Sequence, residues 1–238
     1  MSWCSWKTAL KIKAVLFDLG GTLVRIWIPE LVYQRILASF GIGRSVDEIK
    51  TALANAEDEV SRDGRFIFGK IAFKKYWTMF DSKVLMNLNI VGSDGFASRI
   101  QTVWYDYADC EIFPEVKESL RELKCMGLKI GLVSTGYEED IAAITGKVSL
   151  GTELFDVVVG ANTIGHVKPH PNAFKYALNK LRVKPEEALF VGDSVDADYR
   201  GAKAVGMHAL LVRRATNEKG RRQEPGTVSS IREILQYL

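Results

Sequence analysis

The sequence predicts an α/β fold: a doubly wound, mostly parallel β-sheet that carries an inserted α-helical domain. Two observations predict the sheet. Short apolar runs rich in β-branched residues recur along the chain, and amphipathic helical patterns separate most of them. The insertion is predicted by the interval from about Ile26 to Cys110, which has several helical patterns and no clear strand. A length of 238 residues suits one good-sized domain with such an insertion.

The predicted strands and their helices alternate along the chain. The strands are Ala14–Leu19, Lys129–Ser134, Asp156–Gly160, Ala188–Gly192 and Ala209–Val212, and the helices are Glu115–Met126, Pro171–Leu181 and Asp198–Val205. Gly127 and Gly206 follow two of these helices, which is typical of a helix C-terminus. In such a sheet ligands bind beyond the carboxyl ends of the strands. Asp18, Ser134 and Asp193 are expected there.

The inserted interval is predicted to hold at least three helices. Ser45 and Glu48 have the spacing of a capping box, which opens a helix that runs to about Arg62. Two further helices are predicted over Phe66–Phe80 and Asp94–Tyr107, and we interpret their aromatic face as packing between helices. The predicted division places residues 1–25 and 111–238 in the sheet domain and residues 26–110 in the helical one.

Composition narrows the class of protein. The net charge of +3 is compatible with anionic substrates and too small to indicate nucleic-acid binding, and the basic cluster at Arg213, Arg214, Lys219, Arg221 and Arg222 is interpreted as a solvated loop. No run of about 18 apolar residues and no signal-peptide pattern is visible, so we expect no membrane partner. Three scattered cysteines without a CxxC pair favour reduced thiols and a cytoplasmic location.

Carboxylates at two strand ends predict the chemistry. Asp18 ends the first strand, and after Leu19 the chain continues with Gly20, Gly21 and Thr22, where the backbone can approach a small anion closely. Asp193, Asp196 and Asp198 fall within six residues after another apolar strand. Turn and cap chemistry could account for them. Three negative charges so close together repel one another unless a cation lies among them, and we therefore favour a metal site with Asp196 as its solvated neighbour.

Four segments in order resemble the four motifs of the haloacid dehalogenase (HAD) superfamily, in its phosphatase-like branch. They are AVLFDLGGTL (14–23), LVST (132–135), HVKPHPNAF (166–174) and LFVGDSVDADYRGA (189–202). The resemblance extends from Lys13 to about Val212, and the helical interval falls where that family carries its α-helical cap. It implies a Rossmann-like catalytic core formed by residues 1–25 and 111–238, a cap formed by residues 26–110, and a hydrolase.

The resemblance implies roles at the phosphate. Asp18 would be the nucleophile, forming an aspartyl-phosphate that water then hydrolyses. The Ser134 hydroxyl and the backbone amides of Thr135 and Gly136 would bind the phosphate. Lys168 would hold the phosphate and Asp18 together as a fixed positive charge.

The resemblance also implies Mg²⁺ as the cofactor. The ion would be bound by the Asp18 carboxylate, the backbone carbonyl of Gly20 and Asp193, while Asp198 would support the metal or its waters. An all-oxygen set of this kind is what Mg²⁺ prefers.

One position departs from the family pattern. HAD phosphatases usually carry an acid/base aspartate two residues after the nucleophile, a group worth about 10²–10⁴ in rate, and here that residue is Gly20. With the resemblance, this departure leaves three interpretations: a phosphatase that uses good leaving groups or recruits another acid, a 2-haloacid dehalogenase, or a Mg²⁺- and phosphate-binding protein of low turnover. The weak candidates for another acid are His166, His170, Glu57, Asp58 and Glu59. We favour the phosphatase, acting on a small phosphorylated metabolite as a monomer or homodimer.

Overall fold

The structure is a computed structural model that describes residues 12–64, 67–90, 92–214 and 226–238. Its strands are β1 (Ala14–Phe17), β2 (Val24–Arg25), β3 (Glu111–Ile112), β4 (Lys129–Val133), β5 (Val157–Val159), β6 (Ala188–Gly192), β7 (His208–Val212) and β8 (Thr227–Val228). Six of them form one sheet in the order β5–β4–β1–β6–β7–β8, and every neighbouring pair is parallel. The predicted α/β fold is confirmed.

Helices cover both faces of the sheet and fill the insertion. They are α1 (Pro29–Ser39), α2 (Val46–Arg62), α3 (Phe73–Asn87), α4 (Ser93–Tyr107), α5 (Val116–Cys125), α6 (Glu138–Lys147), α7 (Ala161–Ile164), α8 (Pro171–Leu181) and α9 (Gly201–Ala204). Short 3₁₀ turns precede β5 and β6, and a 3₁₀ helix, Ile231–Tyr237, ends the chain. The capping box predicted at Ser45 and Glu48 is present at the start of α2.

The centre of the sheet is β1, and its two faces lie in two different cores. Val15 and Phe17 point into one apolar cluster, while Ala14 and Leu16 point into the other. All four side chains are fully buried, as expected for a parallel strand covered by helices on both sides. Because β4 and β6 flank β1, the loops that follow these three strands emerge next to one another.

The helical segment between β2 and β3 has an apolar cluster of its own, formed by side chains of α1 to α4 and the turns beside them. The antiparallel pairing of Val24 with Ile112 and of Arg25 with Glu111 brings the two ends of the segment together. The division into residues 1–25 with 111–238 and residues 26–110 stays a prediction, and this pairing supports it.

The helix predicted over Phe66–Phe80 is displaced in the structure, where α3 begins at Phe73 and runs to Asn87. Gly69 has a φ of +79°, which a helix cannot continue, so the described residues before α3, 67–72, form turns, and Phe66 itself lies outside the described residues. The helix extends past Phe80, and Asp81, which looks like a surface residue in the sequence, is buried there and accepts hydrogen bonds from Tyr33 of α1 and Gln101 of α4.

The helix predicted over Asp198–Val205 also differs. The chain forms a π-helical turn over Val195–Arg200 before α9 begins, and the N-cap is Ser194, whose hydroxyl accepts a hydrogen bond from the Ala197 N–H. The wider turn places the Asp198 side chain back over the end of β6, where its carboxylate accepts the Ser194 N–H. π-Helical turns are frequent at functional sites.

The interpretation of the basic cluster as a solvated loop is wrong for Arg214. Its guanidinium lies 3.8 Å from the centroid of the buried Phe113 ring. It also pairs with the Glu115 carboxylate and donates a hydrogen bond to the Thr22 carbonyl. Lys219, Arg221 and Arg222 lie outside the described residues, as do Cys4 and the first eleven residues. Among the described helices, none is both long and apolar enough to cross a bilayer.

Candidate active site

Three neighbouring strand ends supply side chains to one site. Asp18 follows β1, Ser134 follows β4 and Asp193 follows β6. The Asp18 N–H donates a hydrogen bond to the Val191 carbonyl at 3.0 Å, so the backbone of Asp18 still belongs to the hydrogen-bond ladder of the sheet. The backbone therefore fixes Asp18 at the centre of the edge where the sequence predicted the site.

Lys168 joins this site from the loop between α7 and α8. Its ammonium lies 2.6 Å from an oxygen of Asp18 and 2.6 Å from an oxygen of Asp198, and 5.2 Å from the centroid of the buried Phe190 ring. The whole residue is 4% exposed. Burial by itself lowers the pKa of Lys168, but the two carboxylates outweigh it and raise that pKa, so the side chain is a fixed cation.

The carboxylates of Asp18, Asp193 and Asp198 form a cluster, with one oxygen of each within 4.8 Å of the others. Burial, followed by the charges of Asp18 and Asp198, raises the pKa of Asp193 to about 6. Burial likewise raises the pKa of Asp18, against the opposing effect of Lys168. The single ammonium leaves two negative charges uncompensated when all three acids are ionised, which favours a divalent cation at this position.

Two glycines allow the acids to approach so closely. A Cβ on Gly21, which has a φ of +77°, would lie 2.2 Å from an oxygen of Asp193. A Cβ on Gly192 would lie 2.4 Å from the Asp198 carboxyl group. Any larger residue at either position would push a carboxylate out of the cluster, so packing requires both glycines, and the positive φ of Gly21 favours glycine there as well.

The donor set fits Mg²⁺. It is made only of carboxylate oxygens, the ligand type that small hard cations prefer, and it comes from two separate strand ends that the fold holds rigidly. Asp196, predicted as the solvated member of its group, lies on the surface, where it pairs with Arg200 and its side chain is 76% exposed. The structure thus separates the three acids of that segment as the sequence predicted.

The loop after β4 holds the predicted phosphate-binding residues. The Ser134 hydroxyl is half-buried and accepts a hydrogen bond from the Gly136 N–H at 3.1 Å, while Thr135 is exposed at the tip of the loop. Ser134 is therefore placed at the site edge, and the Gly136 amide, predicted to face the phosphate, is engaged within the loop. A bound anion would have to displace this internal hydrogen bond to reach that amide.

The position of the missing acid is filled by an apolar side chain. A Cβ on Gly20 would lie 3.0 Å from the Cδ1 of Ile26, which is 42% exposed. The substitute acids proposed from the sequence have other contacts: His166 and His170 stack on each other at 3.9 Å, and His170 caps α8. Asp58 pairs with Arg62 and Glu59 with Lys83 on the helical segment. Within the described residues, no hydrogen bond or ion pair joins any of these groups to Asp18.

Sequence reasoning missed three groups around the nucleophile. The Thr22 hydroxyl is fully buried and donates to the second oxygen of Asp18 at 3.2 Å. The guanidinium of Arg213 donates to the Asp193 carbonyl at 3.0 Å, and Arg214 binds the Thr22 carbonyl. Thr22 was visible beside the paired glycines, whereas no sequence signal distinguishes the two arginines from the other members of the basic cluster.

Comparison with known proteins places this geometry in a family. The family model described as haloacid dehalogenase-like hydrolase matches residues 12–206. The chain belongs to this family of hydrolases. The resemblance predicted from the four motifs is confirmed, and the protein is an enzyme.

Two curated relatives and one solved structure of the haloacid dehalogenase-like hydrolases are similar along most of their length. The pyrophosphatase PpaX of Bacillus cereus (strain Q1) is 31% identical over 213 residues, covering 87% of this chain and 88% of the relative. The glyceraldehyde 3-phosphate phosphatase of Methanopyrus kandleri is 31% identical over 211 residues, covering 85% and 84%. The crystal structure of a HAD phosphatase from Thermococcus onnurineus is 25% identical, covers 94% of this chain and 97% of its own, and has a TM-score of 0.59.

Proposed function

We propose that this hydrolase is a Mg²⁺-dependent phosphatase that cleaves a small phosphorylated metabolite through an aspartyl-phosphate on Asp18. The observation that carries the proposal is the position of Lys168, buried between Asp18 and Asp198. A carboxylate that attacks a phosphate dianion faces charge repulsion, and a fixed ammonium beside the nucleophile reduces it. The phosphatase names of the two curated relatives support a small phosphorylated substrate.

The chain's own residues divide the work of the reaction. One oxygen of Asp18 attacks phosphorus, the bond from phosphorus to the leaving oxygen breaks, and the aspartyl-phosphate forms. Lys168 and the Ser134 hydroxyl bind the phosphoryl oxygens, while Thr22 holds the orientation of the Asp18 carboxylate. Water then attacks phosphorus, which releases inorganic phosphate and restores the carboxylate.

Asp18, Asp193 and Asp198 are the side chains that would hold Mg²⁺, together with the backbone carbonyl of Gly20. When bound, the cation neutralises phosphoryl charge and so lowers the barrier to attack by an anion. The residues that keep this set in place are Gly21 and Gly192, whose missing side chains make room for the carboxylates.

Gly20 directs the choice of substrate. Since Gly20 has no side chain and the three atoms nearest to a Cβ placed there all belong to Ile26, the leaving oxygen departs without a proton from this position. We therefore propose a preference for leaving groups of low pKa, such as aryl and acyl phosphates or phosphoanhydrides.

Residues 26–110 are proposed to act as a cap over the site. The support is the separate apolar cluster of the helical segment and the β2–β3 pairing at its base. A cytoplasmic location is proposed as well, in keeping with the free thiols of Cys110 and Cys125.

The absence of an acid at Gly20 also favours a second candidate, a 2-haloacid dehalogenase, because a halide leaves without protonation. The compact cluster of Asp193 and Asp198 with Asp18 supports the phosphatase instead, since dehalogenation of this kind does not use metal carboxylates. Parallel assays of p-nitrophenol release from p-nitrophenyl phosphate and of chloride release from 2-chloropropionate, both with Mg²⁺, separate them. The proposal requires the first activity and is overturned by the second alone.

A further inference from the structure

We infer that Tyr137 is a positioning residue that ties the phosphate-binding loop, Ser134–Gly136, to the turn before α3. The inference rests on the proposed function, because it concerns how that loop is held for a phosphate. Tyr137 directly follows Gly136 and is fully buried, and sequence reasoning gave it no role.

The first connection is a buried hydrogen bond from the helical segment to the Tyr137 ring. The N–H of Gly69 donates to the phenol oxygen at 3.1 Å, across 68 residues of sequence. Aromatic rings of the segment surround the phenol: the centroid of Phe68 lies 4.6 Å from that of Tyr137, and that of Phe73 lies 5.5 Å away. Edge-on packing on several sides leaves the ring one orientation, so the phenol oxygen is fixed where the Gly69 amide meets it.

The second connection reaches the backbone of the same residue. The Tyr137 N–H donates to one oxygen of Asp140 at 3.0 Å, and the Tyr105 hydroxyl at the end of α4 donates to the other. Asp140 therefore links the helical segment to the start of α6. Two groups of the segment, one before α3 and one in α4, converge on the single turn that begins with Tyr137.

The turn around Gly69 also lies on the neighbouring strand-end loop. A Cβ on Gly69 would lie 2.6 Å from the Ala161 carbonyl, and a Cβ on Gly165 would lie 3.2 Å from the side chain of Lys70. The Ala161 N–H in turn donates to the Gly136 carbonyl at 2.8 Å. The turn around Gly69 thus packs against the loop that contains Ser134 and the segment that precedes Lys168. These are the two residues proposed to hold the phosphate.

These contacts give Tyr137 a function that packing alone would not. The phosphate loop is a short, partly buried turn, and among the hydrogen bonds described for it the one within the loop joins Ser134 and Gly136. The bond from Gly69 to Tyr137 fixes the far end of this loop against the helical segment. Because the loop would touch the phosphate in both the ground state and the transition state, loosening it weakens substrate binding more than it slows the chemical step.

The test compares Tyr137→Phe with Tyr33→Phe. Both variants keep the ring and remove one buried phenol hydroxyl, but the Tyr33 hydroxyl donates to Asp81 within the helical segment, and no hydrogen bond among the described residues joins it to the phosphate loop. For Tyr137→Phe we expect the KM for p-nitrophenyl phosphate and the Kd for inorganic phosphate to rise about 2- to 10-fold, with a smaller change in kcat. Tyr33→Phe is expected to lower Tm and to leave both constants unchanged.

The inference is overturned if the KM and the Kd are the same in wild type and Tyr137→Phe. It is also overturned if Tyr137→Phe and Tyr33→Phe shift both constants equally. In either case the proposed function still stands. If Tyr137→Phe does not fold, Tyr105→Phe removes the second connection and is expected to raise the same two constants. Calorimetric titration with inorganic phosphate keeps the two proposals distinct. A wild-type protein that binds phosphate without hydrolysing p-nitrophenyl phosphate contradicts the proposed turnover only, whereas one that does neither contradicts both.

Discussion

The ammonium of Lys168 and the carboxylate of Asp18 lie 2.6 Å apart, although 150 residues separate them in the sequence. Neither residue is more than 7% exposed. A buried carboxylate is costly without a cation, and Asp18 lies beside two further acids, so this one ammonium offsets part of the negative charge of the cluster. The pair therefore connects the stability of the sheet edge with the chemistry proposed there.

Replacing Lys168 by methionine is expected to destabilise the protein strongly. The change keeps the length and apolar stem of the side chain but leaves Asp18 and Asp198 buried without their cation, which costs about 3–5 kcal/mol. Urea denaturation at pH 7 in the presence of a chelator measures the loss. Lys124→Met is the control, because Lys124 pairs with Asp156 at the surface, where such a pair contributes about 0–1 kcal/mol. Similar losses in the two variants would contradict the account.

Restoring a carboxyl group at position 20 is expected to extend the range of leaving groups. Gly20→Asp alone meets the Cδ1 of Ile26, whereas Gly20→Asp with Ile26→Ala has room for the new side chain. We expect the double variant to hydrolyse alkyl phosphates faster than wild type, by a factor of up to about 10²–10⁴.

The control for this change is Gly20→Asn with Ile26→Ala, which has the same shape and no proton to give. Initial rates on phenyl and alkyl phosphates, plotted against leaving-group pKa, provide the comparison. Wild-type rates that do not depend on leaving-group pKa would show that another acid already serves the reaction.

A buried acid in the helical segment predicts a pH dependence of stability. Asp81 is 1% exposed, and burial raises its pKa from 3.8 to about 7, against the hydrogen bonds donated by Tyr33 and Gln101. At a pH between 3.8 and about 7, Asp81 keeps its proton in the folded protein and loses it in the unfolded chain. The contribution of Asp81 to the free energy of unfolding therefore falls as pH rises, by about 1.4 kcal/mol per pH unit, and is constant above pH 7.

Chemical denaturation of wild type and Asp81→Asn across pH 4 to 8 measures this effect as the difference between the two. We expect the advantage of wild type to shrink with rising pH and then to level off. Asp47→Asn is the matched surface control, because Asp47 lies exposed on the first turn of α2. A difference for Asp81→Asn that does not change with pH would contradict the burial of an uncompensated acid.

The sheet and the residues at its carboxyl edge could be predicted because local patterns determine them. An apolar run such as Ala188–Gly192 is buried whatever surrounds it, and a turn after it must place Asp193 at the strand end. Asp18 and Lys168 come from loops far apart in the sequence, and their meeting was expected from the order of the four motifs rather than from any local pattern.

The features that sequence reasoning missed depend on long-range contacts. Tyr137 is buried because residues of a distant turn close over it, and the partly buried Arg214 packs on the Phe113 ring and pairs with Glu115. Asp81 interrupts the apolar pattern of α3, yet partners on α1 and α4 satisfy its carboxyl group inside the segment. In each case the decisive partner lies tens of residues away, where periodicity carries no information.

The central claim is that Asp18 is the nucleophile of a Mg²⁺-dependent phosphatase. The most direct test is the hydrolysis of p-nitrophenyl phosphate by wild type and by Asp18→Asn, each with Mg²⁺ and with EDTA. Asn has the shape of the aspartate without its charge or its nucleophilic oxygen, so a folded variant isolates the chemistry. The account predicts p-nitrophenol release only by wild type with Mg²⁺. Release by Asp18→Asn at the wild-type rate, or an undiminished wild-type rate in EDTA, would contradict it.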